Sequence, residues 1–136
     1  MTNLAQAYQG ARYYIDTPSP ILIIIDQPQP DLQALHQQHR CTHSHILTPC
    51  NPHSRRLRPA ANLRRLAALR HRLDILSATV LPTHNTDPTG QWPDEPGFWI
   101  AGLPPHTIRM LAKSFGQNAW VLCPADTIAQ LQWAAG

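Results

Sequence analysis

The chain has 136 residues, 43% hydrophobic and 14% charged, with a formal net charge of +3 and a pI near 9.1. That length suits a single domain with a real core, and the composition excludes the low-hydrophobicity, high-charge pattern of a disordered protein. A cationic surface favours acidic partners, but basicity this modest also fits an ordinary solvated face.

Residues 1–20 show no basic start followed by an apolar core, so no secretory leader is read there and the cytoplasm is the expected location. Ile21-Leu22-Ile23-Ile24-Ile25 is an unbroken apolar run bounded by prolines, which predicts a central strand buried on both faces. It is far shorter than the ~20 residues of a membrane-spanning helix, so no membrane partner is expected. Asp31 to His39 carries Leu32, Leu35 and His36 at helical spacing, with Asp31 placed to cap a short helix. Ser44 to Thr48 predicts a second strand, stopped by Pro49 because proline lacks a ladder donor. From Ala60 to Leu76, the leucines 63, 66, 69, 73 and 76 form one helical stripe, and Arg64, Arg65 and Arg72 point away from it. Thr79 to Pro82 reads as a strand and Thr83 to Glu95 as a polar loop containing Asn85, Asp87-Pro88 and Gly90. Phe98 to Leu103 predicts a strand, Pro105 to Ser114 a helix, Ala119 to Cys123 a strand, and Ala125 to Trp133 a short closing helix.

The fourteen prolines cluster in the gaps between these elements. The alternation predicts an α/β fold over residues 1–136: a single-domain mixed sheet of about four to five strands covered by three to four helices. Right-handed crossovers are expected wherever neighbouring strands run parallel. Three scattered cysteines, Cys41, Cys50 and Cys123, form no Cys-x-x-Cys and are expected to be reduced thiols.

The leading candidate for a site is Thr48-Pro49-Cys50-Asn51-Pro52-His53-Ser54, a polar turn between the second strand and an arginine-loaded helix. Seven arginines lie between positions 55 and 72, with no acidic residue among them. Backbone N–H groups and the positive end of a helix dipole at such a junction predict anion binding, with Arg55 and Arg56 supplying charge. Asn51, Ser54 and Asn62 read both as caps and as ligand contacts, since the two roles use the same orphan N–H groups. Trp92 and Glu95 would cover the turn if the long loop folds back, with Glu95 as a base or acceptor. Gln117 follows a Gly116 helix stop and is a further ligand contact. Cys50 reads as a small filler in preference to a nucleophile. The alternation of Cys41, His43 and His45, with His36 and His39 before them, raises zinc, but does not impose tetrahedral geometry, so no metal or other cofactor is expected. The usual nucleotide, zinc-protease and hydrolase signatures are absent, and no enzyme class is assigned.

Ala7-Tyr8 with Tyr13, Thr48 with Asn51-Pro52-His53-Ser54 and Asn62, the stretch from Asp87 to Glu95 with Gly90 and Trp92, and Phe115-Gly116-Gln117-Asn118-Ala119 follow one another in a characteristic order. Together they resemble the bacterial proteins grouped as domain of unknown function 3293. That family lends positions without a reaction. It usually has an alanine and an aromatic residue where this chain has Pro49 and Cys50, which argues against an essential thiol at position 50, and a serine where this chain has Gly97.

The resulting expectation is an anionic or phosphorylated small ligand held by Thr48, Asn51, Ser54, Arg55, Arg56, Asn62, Trp92, Glu95 and Gln117. The alternative is a nucleic-acid or protein partner on a basic helix face of Arg64, Arg65, Arg70 and Arg72. Oligomeric state is left open.

Overall fold

A computed structural model describes residues 4–135. Among the described residues, seven strands form one sheet, in the order β2-β1-β4-β5-β3-β6-β7. They are β1 (Arg12–Ile15), β2 (Ile21–Ile23), β3 (Ser44–Leu47), β4 (Thr79–Thr86), β5 (Glu95–Ala101), β6 (Ala119–Cys123) and β7 (Gln130–Trp133). The described residues also form four α-helices: α1 (Leu4–Gly10), α2 (Asp31–Gln38), α3 (Pro59–Ile75) and α4 (Pro105–Ser114). The α/β class stands, but the strand count exceeds the expected four to five. The difference comes from β1 and β7, each only four residues long, the second of which falls where a helix was expected. Among the described residues every pairing is antiparallel and no parallel crossover arises.

The apolar run after Pro20 forms β2, at the edge of the sheet and not at its centre. Ile21, Ile23 and Ile25 are buried, whereas Leu22 and Ile24 are half-buried. The sheet curls until its two ends approach: Pro28 bridges Ile128, Asp26 N–H donates to the Ala129 carbonyl at 2.8 Å, and Gln29 N–H to Thr127 at 3.0 Å. Gln29 Nε2 also donates to the edge carbonyl of Leu22 at 2.7 Å. An edge strand normally leaves its backbone groups open to other chains. Here curling and one glutamine cover much of that edge, which is how an edge strand can be so apolar.

Curling gives the sheet two distinct faces. Its concave side gathers Tyr13, Ile15, Ile23, Ile46, Trp99 and Val121 with Leu32 and Leu35 of α2. The convex side packs Leu47, Phe98, Ile100 and Trp120 against Leu69 and Leu73 of α3 and Ile108 and Leu111 of α4. The α3 stripe is narrower than the leucine spacing implied: Leu63 is 61% exposed and Leu76 40%. Among the described residues, no helix is long and apolar enough to cross a membrane.

Candidate functional site

The turn after β3 departs from an ordinary strand-to-helix link. Asn51, His53 and Ser54 have φ of 50°, 54° and 59°, in the left-handed region that L side chains adopt only at some cost. A 3-10 turn (Pro52–Ser54) is followed by extended backbone at Arg55, and α3 begins only at Pro59, without a side-chain cap. The turn therefore does not open directly into the helix, and its N–H groups do not converge with the α3 dipole as the sequence suggested.

Side chains distant in the chain hold this backbone. Asn51 N–H donates to Asn62 Oδ1 at 3.0 Å, while Asn51 Oδ1 accepts from Leu57 N–H and Asn62 Nδ2, each at 2.9 Å. Gln117 Nε2 donates to the Cys50 carbonyl at 2.9 Å, and His53 N–H to the Gly116 carbonyl at 2.8 Å. Gly116 has φ +67°, and a Cβ there would stand 2.8 Å from Pro52 Cβ, so the α4 exit requires glycine. Arg65 Nε donates to the Pro49 carbonyl at 2.6 Å, its Nη2 donates to the Phe115 carbonyl, and its guanidinium lies over the Phe115 ring.

Beside this turn, within the curl of the sheet, is a cavity of about 90 Å³. Thr48, Asn51, Ser54, Trp92, Glu95 and Gln117, all anticipated from the sequence, line it. Asn62 stands behind Asn51 as its brace and is not in the lining. Arg55 and Arg56 are outside the lining too. Both are exposed, and Arg56 sits over the Trp92 ring, donating to the Gln91 carbonyl. No arginine, lysine or histidine is among the described lining residues; the charges there are those of Asp87 and Glu95.

Glu95, the first residue of β5, projects a half-buried carboxylate into this space. Asn51 Nδ2 donates to its Oε2 at 2.7 Å, and Asn85 Nδ2 reaches Oε1 at 3.5 Å. Desolvation raises its pKa above the usual carboxylate value, and the two amides offset only part of that rise. Tyr8 and Tyr13 stand nearby. The Tyr13 hydroxyl donates to the Tyr8 carbonyl at 3.2 Å, and Asn118 and Ser54, themselves joined at 3.2 Å, lie beside the Tyr8 hydroxyl. Burial raises both phenol pKa values, and the Glu95 charge pushes in the same direction.

The rim is built around Asp87. Its carboxylate accepts from the N–H groups of Thr89, Gln91 and Trp92 and from the Thr89 hydroxyl, bonds that hold its pKa below the usual range. That knot folds the 87–92 loop back and sets the Trp92 indole at the mouth. Sequence reasoning passed over Asn85 as a turn former, although β4 runs on to Thr86. Tyr8 and Tyr13 carried the family resemblance but were not placed at the site; their aromatic character within a motif was the available signal.

Cys50 is buried, its Sγ 3.6 Å from the Pro96 carbonyl, and desolvation raises its pKa despite the nearby Arg65. That environment opposes a thiolate nucleophile. The histidines separate across the sheet. His36 Nε2 shares a 2.8 Å hydrogen bond with Ser44 Oγ on the concave side, while the Trp120 indole N–H donates to His45 Nδ1 at 3.2 Å on the convex side. Among the described residues, no group of three His, Cys, Asp or Glu gathers to hold a metal. On α3, Arg70 pairs with Asp74 at 3.1 Å and Arg65 turns inward, which leaves Arg64 and Arg72 as the outward arginines of the expected basic face.

A family model described as a protein of unknown function (DUF3293) matches residues 47–120, more than half of the chain. No curated protein and no solved structure matches it.

Proposed function

The chain belongs to the DUF3293 family of unknown function, and we propose that it is a single-domain small-ligand-binding protein whose ligand occupies the cavity of the curled sheet. The observation that carries this reading is convergence. Six residues from three separate stretches of sequence, Thr48, Asn51, Ser54, Trp92, Glu95 and Gln117, line one concavity. Binding sites of small molecules are typically such concavities, with mainly apolar walls and a few placed polar groups. The left-handed backbone at Asn51, His53 and Ser54 supports the same reading, because strained conformations concentrate at sites where geometry serves a ligand.

The anionic ligand anticipated from Arg55 and Arg56 has less support, since neither arginine reaches the cavity and the charges in its lining are acidic. A nucleic-acid face on α3 is weakened by the inward turn of Arg65 and the Arg70–Asp74 pair.

The test is a ligand-observed NMR fragment screen on the full chain, repeated on Ala7→Trp. Ala7 lines the cavity from α1, a helix with no fully buried residue, so the larger side chain fills the mouth without invading the core. Hits lost in Ala7→Trp are the expected result. Hits that survive it, or that require Arg64 and Arg72, would place binding elsewhere.

A further inference from the structure

Glu95 is in an unusual position for a carboxylate. It is half-buried, it faces a cavity, and the lining around it offers no cation among the described residues. Its polar partners are two neutral amides, Asn51 at 2.7 Å and Asn85 at a long 3.5 Å. A carboxylate has about four lone-pair sites, so two donors, one of them weak, leave acceptor capacity directed at the cavity. Burying a charge without an opposite charge is costly.

Three donors of the remaining lining are already committed. Asn51 uses its Nδ2 on Glu95, and Gln117 commits its Nε2 to the Cys50 and Phe115 carbonyls. The Tyr13 hydroxyl donates to the Tyr8 carbonyl. These three donors are turned to the protein's own carbonyls and carboxylate. Tyr8, Tyr13 and Trp92 add aromatic surface, whose electron-rich faces attract cations.

We infer that the ligand of this cavity carries a small cationic N–H-donating group, a guanidinium or a primary ammonium, that pairs with the Glu95 carboxylate. This rests on the cavity being the ligand site, as proposed above. A planar guanidinium matches a carboxylate bidentately, whereas an ammonium supplies three donors from one point. Either would supply the charge that the lining lacks. A phosphate or carboxylate ligand would instead face Glu95 and Asp87 and be repelled.

The experiment titrates four probes into the full chain at pH 7: methylguanidinium, propylammonium, neutral N-methylurea and acetate. Side-chain amide resonances of Asn51, Asn85 and Gln117 report binding. At least one of the two cations is expected to bind more tightly than N-methylurea and acetate, to lose about tenfold or more in affinity in Glu95→Gln, and to gain affinity in Asn85→Asp, which adds a second carboxylate beside the first. The Asn85→Asp arm stands even where Glu95→Gln perturbs the fold. Binding of N-methylurea or acetate that equals the cations and is lost in Ala7→Trp would overturn the inference while leaving the cavity as the ligand site. Cation binding unmoved by both Glu95→Gln and Asn85→Asp would likewise overturn it. Failure of all four probes to move the three amides would count against both the inference and the cavity reading.

Discussion

The Asn51 side-chain amide donates to Glu95 Oε2 at 2.7 Å and so joins the strained turn after β3 to the first residue of β5. The bond links scaffold to site. The same Asn51 fixes the turn through Asn62 and Leu57, and its donor orients the one carboxylate that projects deep into the cavity.

Asn51→Ala should therefore be costly. It removes the acceptor of Leu57 N–H and Asn62 Nδ2, leaves Glu95 short of its closest donor, and puts a residue with little αL tolerance at φ 50°. A loss of about 3 kcal/mol or more is expected from urea unfolding, since each buried group left unpaired costs about 1–3 kcal/mol. A change under about 1 kcal/mol would mean that the network does not hold the turn.

Glu95 should leave a signature in stability against pH. Burial raises its folded pKa above the ordinary carboxylate value, so the folded state keeps its proton more readily than the unfolded state. That contribution is fully present below pH 4.5 and is lost as pH rises through the folded pKa. Tyr8, Tyr13 and Cys50 have raised pKa values and stay neutral across this window, and Asp87, the other lining carboxylate, is held below its usual range by the Thr89 hydrogen bonds. Glu95→Gln should accordingly gain on the wild type as pH rises from 4 to 8. Parallel stability curves for the two proteins would contradict the assignment.

Two adjacent arginines should behave differently. Arg65→Ala removes donors to the Pro49 and Phe115 carbonyls and the contact with the Phe115 ring, which predicts a loss of about 2–4 kcal/mol in thermal or urea unfolding. Exposed Arg64→Ala should stay within about 0.5 kcal/mol. Equal effects would mean that the clamp contributes nothing.

Gly97 is a buried residue of β5. A Cβ at this position would lie 2.7 Å from the Leu47 carbonyl oxygen and 3.2 Å from Thr48 Cα, both backbone atoms. Gly97→Ala is expected to destabilise by about 1–3 kcal/mol, as overpacking does in a tight core. A neutral result would show that β3 and β5 separate easily at this point.

Periodicity made several elements legible: α4 and β6 fall on the residues where their patterns put them. The strand at Ile21 was legible as a strand, but its edge position was not, because curling of the sheet depends on contacts such as Pro28 with Ile128, a hundred residues away in the chain. The strands β1 and β7 lack the apolar run or proline stop that marked β2 and β3, and β7 buries none of its residues fully. Thr48, Asn51, Ser54, Trp92, Glu95 and Gln117 could be picked out because polar turn-forming side chains and a loop aromatic stand apart from the apolar pattern of the elements. The arginines misled for a local reason. Their charge was visible, but the direction of each depends on where α3 begins, and the left-handed turn delays that start to Pro59.

The most direct test of the central claim is an amide chemical-shift map of the full chain against hits from a fragment screen. A ligand in the cavity should move the Asn51, Asn85 and Gln117 side-chain amides and the Trp92 indole N–H together, saturating with one affinity, and leave Arg64 and Arg72 still. Shifts confined to the exposed arginines of α3, with those four signals unmoved, would contradict it.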